Sequence, residues 1–448
     1  MTDVVVVGGG PAGLTAAWRA ACAGRTVRVL ERAPVVGGMA ASIEVAGQRV
    51  DLGSHRLHPA TSPHVLAAIR SLLGDDLQVR PRHGRVLLRN RWIAFPLRAA
   101  DLARHMPPTF AARALADALT RPMRRARADT FAEVVRVRLG RAVLDEFYGP
   151  YAVKLWGVDA RALAGELARR RISAGGPGAI ARRLVRSARP QGRTFLYPRL
   201  GYGEIVERLA EAAVDAGAVI DVNTPVASLT DLDGERVLWT APITGLVHAA
   251  GDAPADVRRA ASALVHRAMV LVYLVVDQSH YTEFDAHYLP AATLPVSRLS
   301  EPKNYREGPD PADQTVLCAE VPCWVDDGTW SASSADLAGM VVDTLARAGL
   351  PVPLVAAVDV RRLPRVYPVY TPAALAALDT VDAWATTLPR VRVFGRQGLF
   401  VGDNLHHVMA MGWDAGELAA HEALGGDAGD LDAWAAARAR YSTHVVED

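Results

Sequence analysis

The sequence predicts an α/β fold with more than one domain, and three observations support this prediction. The chain has 448 residues, more than a single hydrophobic core usually serves. Half of the residues are hydrophobic and 22% are charged, which is typical of a globular protein and not of a disordered one. Near the N-terminus a β-branched run, a glycine-rich turn and an alanine-rich stretch follow one another in the order of a βαβ unit.

The first βαβ unit is predicted within the first 31 residues. Residues 4–7 are all valine and are expected to form a buried strand of a parallel sheet. Residues 14–23 are expected to form a helix that stops at Gly24, and residues 26–30 a second strand. The turn between the first strand and the helix is therefore placed at the carboxyl edge of the sheet, where such folds bind their ligands.

That turn contains the glycine spacing of a dinucleotide site. Gly8 permits a tight turn, Gly10 lets a pyrophosphate approach the backbone, and Gly13 lets the helix approach the strand. Pro11 and Ala12 stand between them and open the helix. Glu31 follows the second strand, where a carboxylate can bond the hydroxyl groups of an adenosine ribose.

A second glycine-rich stretch, residues 37–55, favours FAD over NAD as the bound nucleotide. It can run beside the phosphates and the ribityl chain, which a soluble NAD dehydrogenase does not require. Its expected cofactor contacts are Arg32, Gly37, Gly38, Met39, Ser42, Gly53, Ser54 and His55. His55 is also the candidate catalytic residue, with packing as its alternative role.

These two stretches resemble the N-terminal signature of the superfamily of flavin monoamine oxidases, protoporphyrinogen oxidases and UDP-galactopyranose mutases. Three later passages resemble the same superfamily in the same order: residues 197–226, residues 248–252 as a strand and turn, and residues 398–412 followed by a helix. The resemblance implies non-covalent FAD, with a backbone contact from Val226 to the adenine. It also implies a bond from Asp403, next to Gly402, to a ribityl hydroxyl, and a helix near Met411 and Gly412 that faces the flavin.

The resemblance also implies a Rossmann-like FAD-binding domain assembled from discontinuous segments, interleaved with an α+β substrate domain. We expect residues 1–85, 191–262 and 386–448 in the FAD-binding domain. Residues 86–190 are expected to be the helical part of the substrate domain, and residues 263–385 its strand-rich part, with a strong strand at 270–276. The arginine-rich run at 121–127 is expected to be a solvated helix face.

Three stretches are candidates for substrate binding. Tyr151, Lys154 and Trp156 resemble a Y-x-x-K-x-W-G element of the mutases, in which rings stack on the substrate and the lysine meets an anion. Core packing is the alternative for them. Arg298 resembles the mutase arginine that holds a nucleotide-sugar diphosphate, with a surface ion pair to Glu301 as its alternative.

The third stretch contains Tyr367 and Tyr370, which are expected on one face of an extended segment. The mutase-like proteins have tyrosines there that touch substrate phosphates, and a structural turn is equally compatible. Neither His406 with His407 nor His55 with His58 has the pattern of a metal site, so no metal is expected.

The remaining composition limits the partners. The formal net charge of +2 gives no reason to expect nucleic acid or an anionic membrane. Three cysteines without a metal-type spacing argue against a disulfide framework. The sequence has neither a secretory signal nor a run of about 18 apolar residues, so we expect a cytoplasmic protein without a transmembrane segment.

The expected function is an FAD-dependent oxidoreductase that takes hydride or electrons from a small polar metabolite. The expected substrates are a sugar, a nucleotide sugar or a sugar conjugate, either neutral or anionic. The alternative is a redox-neutral isomerase of the UDP-galactopyranose mutase kind. An amine or porphyrinogen oxidase and a non-catalytic binding protein of the same fold rank below both. The sequence does not identify the substrate, the electron acceptor or the oligomeric state.

Overall fold

The computed structural model describes residues 2–59, 61–120, 129–172, 194–421 and 428–446. The arginine-rich run at 121–127 lies outside these residues. The described strands are β1 Val4–Val7, β2 Val27–Leu30, β3 Ser42–Val45, β4 Gln48–Asp51, β5 Leu77–Pro81, β6 Gly84–Leu88, β7 Arg91–Phe95, β8 Thr194–Pro198, β9 Val219–Asp221, β10 Arg236–Trp239, β11 His266–Val276, β12 Ala286–Tyr288, β13 Arg298–Ser300, β14 Thr315–Cys323, β15 Val355–Pro368 and β16 Val391–Val393.

The described α-helices are α1 Pro11–Cys22, α2 Pro63–Leu73, α3 Ala99–His105, α4 Pro108–Thr120, α5 Phe131–Leu139, α6 Arg141–Val143, α7 Gly149–Trp156, α8 Gly165–Arg171, α9 Glu204–Asp215, α10 Ile243–Ala250, α11 Ala255–Ser262, α12 Gly328–Ser331, α13 Ser334–Arg347, α14 Pro372–Ala385, α15 Gly395–Gly398, α16 Leu405–His421 and α17 Ala428–Tyr441. A π-helical turn, Leu144–Tyr148, precedes α7. Within the described ranges, none of these helices is long and apolar enough to cross a membrane.

The first sheet is parallel and has five strands in the order β16-β10-β1-β2-β9. Its strands come from three separate parts of the chain, which confirms the prediction of a sheet built from discontinuous segments. The four valines of β1 are buried because helices cover the sheet, and apolar residues of α1 and α16 pack on it. This burial explains why the strand carries no polar residue.

Helices α1 and α16, which cover β1, contact each other closely at two glycine residues of α16. A Cβ atom on Gly412 would lie 2.3 Å from the carbonyl oxygen of Ala12, and one on Gly416 would lie 2.6 Å from that of Ala16. Met411 and Gly412 therefore lie inside α16 and pack against α1. This corrects the expectation that they precede the helix and contact the cofactor.

The second sheet has seven strands in the order β15-β11-β14-β13-β12-β6-β7 and is antiparallel except where β12 pairs with β6. The strand expected at 270–276 is confirmed and begins earlier, at His266. The side chains of β11 alternate between the two faces of the sheet. Val270 and Val272 pack with residues of α13, whereas Met269 and Leu271 face the hairpin of β3 and β4.

Two details of the expected organisation differ in the structure. β6 spans the boundary expected between residues 85 and 86, and it joins the seven-stranded sheet. Residues 248–252, expected as a strand and turn, end helix α10, and the strand of this region is β10, Arg236–Trp239. A short apolar run is compatible with either a buried helix or a buried strand, so its periodicity could not decide between them.

Candidate functional site

One cavity of about 790 Å³ joins the two sheets. It begins at Gly8, Glu31 and Thr240, which follow β1, β2 and β10 at the carboxyl edge of the parallel sheet. It continues to Met269 and Arg298 on one face of the seven-stranded sheet. The volume lies in the range of cofactor and small-molecule sites, roughly 300–1,000 Å³.

Glycine residues form part of the cavity wall at the parallel sheet. Gly8 has a φ of +107°, and a Cβ atom there would lie 2.5 Å from Oγ1 of Thr240. A Cβ on Gly13 would lie 2.0 Å from the carbonyl oxygen of Gly8, so this glycine serves helix packing, as expected. Gly10 lines the cavity, and a Cβ there would meet no described atom within 4 Å. Helix α1 starts at Pro11, so its free N–H groups lie at the cavity.

Glu31 secures the glycine turn and also lines the cavity. The Gly9 N–H donates to its Oε2 at 2.7 Å, and the Ala33 N–H donates to its Oε1 at 2.8 Å. Arg32 and Val226 lie at the same end of the cavity, where the sequence placed them. These contacts fix the carboxylate at the edge where an adenosine ribose would bind.

Only part of the second glycine stretch lines the cavity. Gly38 and Met39 do. A Cβ on Gly37 would lie 2.8 Å from Cγ2 of Val206, and Ser42 Oγ donates to Asp51 Oδ1 at 2.7 Å while accepting from the Gly203 N–H at 2.8 Å. Gly37 and Ser42 therefore hold neighbouring chain segments together, which corrects their expected role as cofactor contacts.

The loop at 53–55 is fastened to the seven-stranded sheet by Glu320, a residue that sequence reasoning missed. The Ser54 N–H donates to Glu320 Oε1 at 2.8 Å, and Nη2 of Arg298 donates to the same oxygen at 2.7 Å. Gly53, Ser54, Arg298 and Glu320 all line the cavity. A single glutamate inside the apolar, buried strand β14 was the available signal, because a buried carboxylate requires a partner.

His55 is held in one orientation in this loop. Its ring stacks on Tyr202, with centroids 5.2 Å apart, and its Nε2 lies 3.0 Å from the Leu52 carbonyl oxygen. A carbonyl can only accept, so Nε2 carries the proton and Nδ1 is left as an acceptor. Burial lowers the pKa of His55, which favours the neutral ring.

Arg298 reaches the cavity as expected, but its partner is Glu320. Burial acts to lower the pKa of Arg298, yet the Glu320 carboxylate and the neighbouring tyrosine hydroxyl groups together outweigh it and hold that pKa well above its usual value. The alternative of a surface pair with Glu301 is wrong. Glu301 is buried and accepts from the N–H groups of Tyr281 and Thr282.

Tyr151, Lys154 and Trp156 lie on helix α7 but do not all face the cavity. Tyr151 and Leu155 are four residues apart, share a helix face and line the cavity. Lys154 is not among the lining residues. Its Nζ donates to the carbonyl oxygens of Leu289 and Val296, the second at 3.0 Å, and burial lowers its pKa to about 7. Trp156 packs against Phe131 in the core. The substrate roles expected for Lys154 and Trp156 are therefore not supported.

Tyr367 and Tyr370 do not share a face. They are three residues apart, and side chains three apart in an extended segment point to opposite sides. Tyr367 lines the cavity. The Tyr370 hydroxyl donates to the Phe400 carbonyl oxygen at 2.7 Å in the core, which corrects its expected substrate role.

Arginine dominates the charges around the cavity. Among the residues that the structure describes, three carboxylate residues line it, Glu31, Glu320 and Asp403. The arginines that line it are Arg32, Arg56, Arg82, Arg171, Arg298, Arg365 and Arg396. Only Arg32 and Arg298 were expected from the sequence. The others lie far apart in an arginine-rich chain and share no motif.

Asp403 lies at the closing side of the cavity. Its Oδ2 accepts from Nδ1 of His444 at 2.7 Å, whereas its Oδ1 is buried without a hydrogen-bond partner in the described part of the chain. Ligand atoms of Asp403, His407 and His444 lie within 4.8 Å of one another, close enough for a metal ion. The hydrogen bond between Asp403 and His444 accounts for this proximity without a metal.

The residues present fit a bound dinucleotide. The open space over Gly10 can admit a pyrophosphate at the N-terminus of α1, and the Glu31 carboxylate beside the glycine turn can accept hydrogen bonds from ribose hydroxyl groups. Both groups belong to one cavity.

The chain belongs to the flavin containing amine oxidoreductase family, whose profile matches residues 11–252. This result and the fold comparisons confirm the resemblance described above. A curated relative, putrescine oxidase from Kocuria rosea, is 44% identical over 82 residues, which are 18% of this chain and 17% of that protein. The aligned region thus spans less than a fifth of the curated relative.

Solved structures resemble the whole chain. Reduced UDP-galactopyranose mutase superposes with a TM-score of 0.80 at 19% identity and covers 100% of both chains. A structure from Exiguobacterium sp. 255-15, described as a protoporphyrinogen oxidase, superposes with a TM-score of 0.72 at 20% identity over 94% of this chain and 99% of its own. At these identities the likeness establishes the fold.

Proposed function

We propose that the protein is an FAD-dependent oxidoreductase that acts on a small anionic metabolite, with a sugar, nucleotide sugar or sugar conjugate as the substrate class. One observation carries the proposal. A single cavity connects two regions. The first is the glycine turn at residues 8–13, called the glycine cradle, and the second is the part of the cavity beside the seven-stranded sheet that Arg56, Arg171 and Arg298 line, called the chamber. The chain thus offers adjacent sites for a dinucleotide and for an anion.

FAD would be held without a covalent bond. Gly10 and the start of α1 would face the pyrophosphate, Glu31 and Val226 the adenosine, and Asp403 the ribityl chain. Cys22 is exposed, Cys318 and Cys323 are buried, and none of the three lines the cavity, which supports non-covalent attachment. The flavin, when bound, supplies the acceptor for hydride or electrons.

The chamber would bind the anionic group of the substrate. Arg298 is pre-oriented because Nε and Nη2 both donate to Glu320 Oε1, at 3.0 and 2.7 Å. The guanidinium of Arg171 stacks on Tyr367, 5.5 Å from the ring centroid, so it is also held at the cavity. Tyr151 and Tyr367 supply rings that can stack on a sugar or a base.

His55 is the candidate catalytic residue of this proposal. As a neutral ring whose Nε2–H is committed to Leu52, it presents Nδ1 as an acceptor. In this state it can hold or take the proton of a substrate hydroxyl group.

Anaerobic mixing tests the proposal. The purified protein should be yellow, should release FAD on denaturation, and should lose its visible flavin absorbance when the oxidisable substrate is added. UDP-glucose, UDP-galactose, glucose 1-phosphate and putrescine are suitable first probes. Release of FMN alone would contradict the cofactor assignment, and bleaching by putrescine alone would contradict an anionic substrate.

A second candidate is a redox-neutral isomerase similar to UDP-galactopyranose mutase. The Arg298 segment favours it, as does the full-length superposition on that enzyme. Turnover of UDP-galactose that requires prior reduction of the flavin, with no net loss of electrons, would support this candidate over the oxidoreductase.

An amine substrate is disfavoured by charge. A protonated amine would enter a chamber where arginines outnumber carboxylates, and like charges at low dielectric repel. A non-catalytic binding protein would retain FAD in the same experiment without either bleaching or turnover.

A further inference from the structure

We infer that residues 442–446, which follow α17, form a strap that FAD must pass to enter or leave the cavity. The inference rests on the proposed function, because it takes FAD as the ligand and Asp403 as a contact of the ribityl chain. It goes beyond that function by assigning the exchange of the cofactor to a particular segment of the chain.

Helix α17 holds the start of the strap in place. The ring of Trp434 packs edge-on against Phe394, with centroids 6.1 Å apart. The Tyr441 hydroxyl donates to Asp414 Oδ2 on α16 at 3.0 Å, and the side chains of Trp434 and Tyr441 are both buried. Because none of these contacts involves the strap, it can move while α17 stays against the parallel sheet and its helices.

Within the described part of the chain, two hydrogen bonds join the strap to elements other than α17. His444 Nδ1 donates to Asp403 Oδ2 at 2.7 Å, and the Val446 N–H donates to the Arg170 carbonyl oxygen at 2.8 Å. The His444 ring also stacks on His407, with centroids 4.5 Å apart. Since a hydrogen bond contributes little net free energy, these contacts allow the strap to detach without unfolding the rest of the protein.

The strap runs from the protein surface to the cavity wall. Ser442 and Thr443 are exposed to solvent, whereas Val446 is buried and lines the cavity. Val446 is thus the one strap residue with a buried side chain. A segment with so few buried apolar contacts is typical of the parts of a protein that open locally.

The strap covers the carboxylate of Asp403. His444 occupies one of its oxygens, and the Asp403 side chain has no exposed surface while the strap is in this position. The residues on either side, Gly402 and Asn404, line the cavity. A ribityl hydroxyl group can therefore reach this carboxylate only after the strap has moved.

The exchange of FAD measures this movement without knowledge of the substrate. The main variant is a chain that ends at Tyr441, which lacks the strap and keeps the contacts of α17. Association is followed by the change in FAD fluorescence on mixing with the apoprotein, and dissociation by the loss of bound radiolabelled FAD during a chase with unlabelled FAD. Both rate constants should rise roughly tenfold or more, the effect of two lost hydrogen bonds.

His444→Ala keeps the full chain and the hydrogen bond of Val446, so it tests the strap even if the shortened chain does not fold. It should raise both rate constants by a smaller factor, about fivefold, and change the affinity little because the two rise together. Arg440→Gln, at an exposed ion pair with Asp414 on the last turn of α17, is the matched control and should leave both rate constants unchanged.

An unchanged association rate constant in the variants that fold would overturn the strap as a gate and leave the proposed function standing. A rise in dissociation alone would also overturn it, because a wall that FAD does not pass affects only the bound state. An unaltered protein that binds no FAD would contradict the proposed function, and the inference with it.

Discussion

At the parallel sheet the cavity wall is built around the backbone of a glycine turn, whereas over the seven-stranded sheet guanidinium groups and aromatic rings contribute most of its polar surface. Gly8, Gly10 and Gly13 lie within six residues of one another and act by lacking side chains. Arg56 and Arg298 are far apart in the chain and act through their side chains. The first region follows from a local motif, and the second exists only after distant strands have been brought together.

The largest effect is expected in the glycine cradle. Gly13→Ala would place a Cβ atom 2.0 Å from a backbone oxygen and should cause loss of folded protein or a large fall in Tm, because overpacking costs about 1–3 kcal/mol or more. Gly10→Ala meets no described atom within 4 Å, so it should keep its Tm and lose FAD. Thermal unfolding and FAD content separate the two, and equal behaviour would refute the division of roles.

The second effect is expected in the chamber, and it concerns substrate binding where the first concerns folding. Arg298→Ala should raise the apparent KM by the equivalent of about 2–5 kcal/mol, because it removes the cation that binds the substrate's anionic group in a partly buried site. The FAD content and visible spectrum should not change. Arg361→Ala, at an exposed position on β15, is the control. A normal KM in Arg298→Ala would show that this arginine has a structural role alone.

Asp403 provides a third comparison at the closing side of the cavity. Asp403→Ala should weaken FAD binding by about 1.5–3 kcal/mol, the loss of a charge-assisted hydrogen bond. Glu31→Ala should act similarly from the ribose end. His444→Ala removes the partner of Oδ2 but leaves the Asp403 carboxylate in place, so it should retain FAD. Fluorescence titration of the apoprotein measures all three, and unchanged affinity in the first two would contradict the cofactor assignment.

The smallest effect concerns Lys154, the cation near the chamber that does not line it. Burial lowers its pKa from 10.5 to about 7, so between these values the unfolded chain holds a proton that the folded chain lacks. The free energy of unfolding should therefore rise as the pH rises from about 7 to 10.5, by at most about 1.4 kcal/mol per pH unit.

Lys154→Met should remove this rise in stability without changing the KM. Chemical denaturation at several pH values measures the slope in both proteins. A KM that increases in Lys154→Met would restore the substrate role that the sequence suggested.

The residues of the βαβ unit were predicted almost completely, because strand, turn and helix are read from neighbours in the chain. The Gly10 and Glu31 positions follow directly from that reading. Resemblance located Asp403 and Val226, although it misplaced Gly412, which the crossing of α1 and α16 requires for close helix contact.

Sequence by itself determined the parallel sheet and the glycine cradle, since a backbone turn depends on local residues and their φ values. It could not separate Tyr367 from Tyr370, or Tyr151 from Lys154, because the face that each side chain occupies depends on what packs against the element. Nor could it pair Arg298 with Glu320 or Arg56 with Asp285. Those pairs join strands and loops far apart in the chain, so tertiary structure alone decided which charges are matched and which donors remain for a substrate.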